Sequence, residues 1–222
     1  MSAFTSEQEH REASVAAERK LDALGLNRGS TGNLSQRWAD DGRSGMLITP
    51  TGMGADDLRP EDLVWVGEDG TVQGAWQPSS EWHFHQAIYR ARADLHAVVH
   101  VHSTYATALA CLPRRLPPFH YMVAVAGGDD VPLVPYSTFG SVALSEGVAR
   151  AVANRDACLL AQHGLLAAGT TLARAMKVVV EIESLCQTYL SALAIDEPPH
   201  LSAAQMTEVI DKFRSYGQAR RG

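Results

Sequence analysis

Cysteine is scarce in this chain: Cys111, Cys158 and Cys186 are odd in number and far apart in 222 residues. That excludes a disulfide framework, and no paired Cys spacing marks a zinc finger, so a reducing cytoplasm is the expected setting. No apolar run approaches the roughly 18 residues that a membrane-spanning helix needs. The opening stretch MSAFTSEQEHREASVAAERK is acidic and alternately charged, without the apolar centre of a secretion signal. Positive charge is in deficit as well, with 19 Lys+Arg against 25 Asp+Glu and a net charge of −6. The chain therefore has no general attraction to nucleic acid or to an anionic membrane, and an anionic ligand needs a local positive centre. There is no repeat, low-complexity tract or long linker. What remains is a composition of 45% hydrophobic and 20% charged residues, that of a globular enzyme whose length, residues 1–222, calls for one domain.

Helical and extended patterns alternate along the chain. A helix is expected from about Ser6 to Leu24, with Ala13, Ala16, Ala17, Leu21 and Leu24 as its apolar stripe and Gly25 as its stop. LNRGSTGNLSQRW reads as a turn leading into a strand, GMLITPTGM as a strand ending in a turn, and EDLVWVGEDGTVQGAW as a hairpin. PSSEWHFHQAIYRARAD opens a helix after Pro78, with Ser79 or Ser80 as its cap. AVVHVH follows as a strand, TYATALACL as a short helix, and a Pro- and Gly-rich loop region precedes a helix from about Ser141 to Asn154. ACLLAQHG reads as a buried strand running into a turn, with LLAAG continuing it. Helices over about Thr171–Leu193 and Ala203–Phe213 close the sequence. Interleaved helices, strands and hairpins predict an α/β domain whose mixed, largely antiparallel sheet is covered on both faces.

Within AVVHVHSTYA, His100 and His102 are two residues apart, so in an extended strand both side chains leave the same face while Val99 and Val101 take the other. In LLAQHGLL, His163 stands where a buried strand meets a glycine turn. Three neutral imidazoles are the donor set that gives a catalytic Zn²⁺ an open fourth position. The other histidines separate by geometry. His83 and His85 lie two apart on a helix, about 200° around the axis, and cannot chelate one ion. His96 shares the face of His100 but sits about 13 Å back along the strand.

Three turns have the makings of an anion cradle without a lysine. Ser79 and Ser80 precede Glu81 at a helix N-terminus, where free N–H groups and the helix dipole favour negative charge. STGN offers Gly32 and Asn33, and PTG offers Thr51 and Gly52. Brought together, these turns would hold a phosphate by hydrogen bonds alone.

GNLS, LITPTG, PSSEW, VVHVHS, HYMVAVAGG, YSTFG, QHGLL and FRSYG occur in an order that resembles the class II aldolase/adducin family, and within it the branch acting on L-fuculose 1-phosphate. The likeness runs from about Gly25 to Gly217. It implies a three-layer α/β/α fold, a cyclic homotetramer with active sites between subunits, and Zn²⁺ or another divalent transition metal held by His100, His102 and His163, with Glu81 as a ligand in the resting site. It places phosphate contacts on Gly32, Asn33, Thr51, Gly52, Ser79 and Ser80. Tyr121 resembles the family's proton-donating tyrosine, and Phe139 and Tyr216 its aldehyde-side residues. Departures are Gln162 before the metal histidine, where relatives often carry histidine, a longer WADDGRSGM segment, and Arg28 near the first phosphate turn.

The activity this implies is reversible cleavage of a ketose 1-phosphate, such as L-fuculose 1-phosphate, to dihydroxyacetone phosphate and an aldehyde such as L-lactaldehyde, through a metal-stabilised enediolate. Glu81 doubles as ligand and general base. Pentulose-phosphate 4-epimerases and methylthioribulose-1-phosphate dehydratases of the same family share the metal triad. HYMVAVAGG and FRSYG fit the aldolase branch better. A non-catalytic adducin-like module has no need of Glu81 and three histidines together. A TIM-barrel zinc hydrolase calls for a longer chain and further ligands at strand ends.

Overall fold

Period-two alternation along the strands sorts the apolar side chains into two cores. In a computed structural model, which describes residues 6–40 and 42–215, the strands are β1 (Asn33–Asp40), β2 (Arg43–Ile48), β3 (Val64–Gly67), β4 (Val72–Gln73), β5 (Ala97–Val101), β6 (Leu133–Val134), β7 (Ala157–Leu160) and β8 (Gly164–Gly169). They form one sheet in the order β4-β3-β2-β1-β5-β8-β7-β6, antiparallel throughout except between β6 and β7. This is the mixed, largely antiparallel sheet expected.

Val99, Val101, Leu159, Leu165 and Ala167 face one helical layer: α1 (Glu7–Ala23), α3 (Thr104–Ala110), α5 (Leu172–Leu193) and Met206 of α6 (Ala203–Ser215). Val98, Cys158, Leu160, Leu166 and Ala168 face the other, made by α2 (Trp82–Ala91) and α4 (Val142–Ala151) through Phe84, Ile88, Leu144 and Val148. Each Val, Leu, Ile or Phe among them taken fully out of water contributes about 1.5–3 kcal/mol, so the central strands, buried on both faces, anchor the molecule. No helix among the described residues is long and apolar enough to cross a membrane.

Local chemistry sets the element ends. Ser6 and Glu9 form a reciprocal capping box at the start of α1, and Gly25 follows its end with φ +68°. Three local readings change. LLAAG does not continue the strand before it: the chain reverses at residues 161–163, and β8 pairs antiparallel with β7. The longer WADDGRSGM segment is taken up by the strands themselves, because β1 and β2 stay paired out to Asp40 opposite Arg43, and Gly42 takes φ +78° as a tight turn requires. Helix α2 starts one residue later than the serines suggest. Glu81 is its N-cap, and Ser79 Oγ accepts from the Glu81 N–H at 3.3 Å.

Candidate functional site

The sheet delivers two of the three histidines directly. His100, wholly buried near the end of β5, meets the Phe84 ring of α2 edge-on at 5.6 Å between centroids. His102 lies just beyond the strand. The segment after it is pinned by Glu183 of α5, whose carboxylate accepts from Ser103 Oγ at 2.6 Å and from the N–H groups of Tyr105 and Ala106, both at 2.8 Å. His163 comes from the β7–β8 turn. There Gln162 is the one non-glycine among the described residues with positive φ, at 56°. Such a residue costs about 1–3 kcal/mol in an ordinary chain and marks a constrained position. Its neighbour Gly164 is fixed by space: a Cβ there would stand 2.5 Å from Val101 O and 3.2 Å from His102 Cδ2.

The three rings meet edge to face with centroids 4.7–4.8 Å apart, and their ligand nitrogens lie within 4.8 Å of one another. His100 Nε2 is 2.9 Å from His102 Nε2. The Nδ1–H of His100 donates to Leu165 O at 3.0 Å, which turns the Nε2 lone pair toward the common centre. Glu81 closes the group, with Oε2 3.4 Å from His100 Nε2 and Oε1 3.3 Å from His163 Nε2. Oε1 is buried and makes no hydrogen bond. Ligand atoms about 2.0–2.1 Å from a tetrahedral ion stand about 3.3 Å apart, so these spacings fit a divalent metal.

Burial sets the protonation. It lowers the pKa of His100 well below the ordinary histidine value, with help from the neighbouring imidazoles, lowers His102, and takes His163 to about 4. All three are thus neutral donors at neutral pH. Burial raises Glu81, offset in part by the hydrogen bond from Asn33 Nδ2 to Oε2 at 3.0 Å.

Above the cluster opens a cavity of about 340 Å³. Gly32, Asn33, Thr51, Gly52, Ser79, Ser80, Glu81, His102, His163 and Phe139 all line it, with Ser30, Thr31, Tyr136, Ser137 and Gln162. Gly32 and Gly52 have φ of +76° and +69°, and at Gly32 a Cβ would lie 2.6 Å from His100 O, so that turn needs glycine twice over. The described lining has no Lys or Arg. Positive potential there comes from backbone N–H groups and the N-terminus of α2, and Arg28 is exposed outside the cavity. Tyr121 is not brought to the histidines. It is half exposed and lines a separate cavity with Arg174, Lys177 and Phe213. Tyr216 lies outside the described residues.

Sequence reasoning missed what stands behind Glu81. Asn33 Oδ1 is 2.6 Å from His85 Nε2, and His85 Nδ1 is 2.7 Å from Ser35 Oγ, which lies 2.8 Å from Tyr89 OH. The signal was the spacing of Glu81, His85 and Tyr89, four residues apart along one helix face, opposite Asn33 and Ser35 on one strand face.

The profile described as Class II Aldolase and Adducin N-terminal domain matches residues 12–190. A 5-methylthioribulose-1-phosphate/5-deoxyribulose-1-phosphate aldolase of Rhodospirillum rubrum is 48% identical over 91% of this chain and 90% of its own. An L-fuculose phosphate aldolase of Escherichia coli is 45% identical over 89% and 91%. A solved L-fuculose 1-phosphate aldolase superposes with a TM-score of 0.89 at 37% identity, covering 95% of this chain and 98% of that one.

Proposed function

The chain belongs to the class II aldolase and adducin N-terminal domain family, whose aldolases are metal-dependent lyases, and on that premise we propose that it cleaves a ketose 1-phosphate reversibly to dihydroxyacetone phosphate and a short aldehyde. One observation carries the reading. A buried carboxylate oxygen without a hydrogen bond sits among three neutral imidazoles, under a cavity whose turns suit a phosphate.

His100, His102 and His163 would hold a divalent ion, Zn²⁺ by donor type, with Glu81 as a further ligand before substrate enters. When bound, that ion supplies a Lewis-acid charge for the electron density released beside a ketone, several kcal/mol toward the barrier. The protein's own residues do the rest. Gly32, Asn33, Thr51, Gly52, Ser79 and Ser80 hold the phosphate by neutral donors and so fix the position of the reacting carbons. Glu81 takes the proton from the hydroxymethyl carbon in the condensation direction and returns it in cleavage. Tyr121 exchanges the proton of the aldehyde oxygen. It lines a different cavity from Glu81 in the same chain, which supports a homotetramer whose sites lie between neighbouring subunits.

The far end of the substrate meets Phe139, 65% exposed, and Tyr136, 62% exposed. Rings presented to that side suit a terminal methyl or thioether better than a hydroxyl. The named relatives act on such sugars, so 5-deoxyribulose 1-phosphate, 5-methylthioribulose 1-phosphate and L-fuculose 1-phosphate are the candidate substrates. Three unpaired thiols suit a cytoplasmic setting.

A panel of ketose 1-phosphates, assayed for dihydroxyacetone phosphate with and without a chelator, tests the function. Release from at least one deoxy or thioether sugar, loss with chelator and return with Zn²⁺ are expected. An epimer or a dehydrated product in place of dihydroxyacetone phosphate overturns the reading. In the same assay Glu81→Gln keeps its metal and loses proton exchange on dihydroxyacetone phosphate by more than about 100-fold.

A further inference from the structure

The side chains behind Glu81 can be assigned donor by donor. A carboxylate only accepts, so Asn33 Nδ2 is the donor in its 3.0 Å contact with Glu81 Oε2, and Asn33 Oδ1 must be the atom facing His85. An amide oxygen also only accepts. His85 Nε2, 2.6 Å away, therefore carries its proton. His85 is wholly buried, with burial taking its pKa to about 3, so the ring is neutral and Nδ1 is an acceptor. The hydroxyl of Ser35 then donates to Nδ1 at 2.7 Å. With the Ser35 proton committed to His85, the single proton of the Tyr89 hydroxyl is shared between Ser35 O at 3.0 Å and Ser35 Oγ at 2.8 Å, so Tyr89 donates from the far end. Every link points the same way, from Tyr89 through Ser35, His85 and Asn33 to the carboxylate.

We propose that His85, held by Ser35 and Tyr89, is a positioning residue: its Nε2–H locks the Asn33 amide in the one orientation that donates to Glu81 Oε2. The lock leaves Oε1 as the oxygen that takes and returns the proton. Without it the amide can turn over, set its oxygen against the carboxylate, and push Glu81 away. This rests on the reading of Glu81 as the base. The hydrogen-bond chain spans two elements, α2 and β1, in register, and His85, Ser35 and Tyr89 lie behind the cavity, none of them among its lining residues.

Two measurements test it, one independent of activity. In the metal-free protein, long-range ¹H–¹⁵N spectra of the histidine rings should show His85 as the neutral Nε2–H form. The Nδ1–H form overturns the assignment. With metal bound, His85→Phe should lower kcat for proton exchange on dihydroxyacetone phosphate about 10–100-fold, the usual cost of losing an outer-shell partner, while KM and metal content stay within about twofold. His85→Gln, whose amide N–H stands near the position of Nε2, should recover most of the loss. Ser35→Ala, which keeps the ring, should move kcat in the same direction as His85→Phe and serves if that variant does not fold. An active wild type with His85→Phe equally active, or a loss that follows KM or metal content, overturns the relay alone. A wild-type protein that exchanges no proton overturns both the relay and the reading of Glu81.

Discussion

Glu18 is a buried carboxyl that makes no ion pair among the described residues. Burial raises its pKa from 4.5 to about 7, against the pull of a 3.4 Å hydrogen bond from Asn27. The folded value lies above the unfolded one, so the folded state holds the proton more tightly. Its contribution to stability is fully present below pH 4.5 and is lost as pH rises through about 7. The shift amounts to about 3 kcal/mol. Glu18→Gln, neutral throughout, should unfold in urea like the wild type at pH 4 and be more stable by up to about 3 kcal/mol at pH 8. Equal stability at pH 8 would show that Glu18 ionises there at no cost. Asn27 also packs beneath Gly32, so the same substitution reports on the footing of the Gly32 turn.

Between elements, the decisive contact is that of the β7–β8 turn with the end of β5. Gly164 lets the backbones carrying His163 and His102 approach, and a methyl group there meets the carbonyl of Val101 at 2.5 Å. A carbonyl in a central strand cannot swing aside. Gly164→Ala should therefore part β5 from β8 locally, cost about 1–3 kcal/mol, and weaken metal binding at least about tenfold. Gly25→Ala is the control. Gly25 has φ +68° but open space around its Cβ position, so it should cost about 1–2 kcal/mol of backbone strain and leave the metal site intact. Metal titration of both variants separates the two effects, and equal affinities would remove the special role given to Gly164.

At the scale of the whole molecule, Glu81 and Tyr121 open on different cavities of one chain. If each site takes Glu81 from one subunit and Tyr121 from the next, two inactive proteins complement each other. Glu81→Gln and Tyr121→Phe, mixed at random in tetramers, should regain roughly a quarter of the wild-type activity, because a quarter of the interfaces pair two intact residues. Mixed assemblies that stay inactive would place both residues in the same subunit's site.

The sequence by itself determined the donors and the layers. A strand has period two, so His100 and His102 had to leave one face together, and the same alternation split Val98 from Val99 and fixed two helical layers around a mixed sheet. The Ser6 cap of α1 and the Gly25 stop after it were legible because they are set by neighbours within a few residues. Only the tertiary structure decided the rest. It turned QHG into a hairpin that brings His163 back beside His102, made Glu81 rather than a serine the cap of α2, and put Tyr121 away from the histidines. It also laid His85 against Asn33. The hairpin turn and the α2 cap are local, but the contacts that hold His163 beside His102 and His85 against Asn33 join residues dozens of positions apart, as in the pairing of Val101 with Leu165, and no local pattern encodes them.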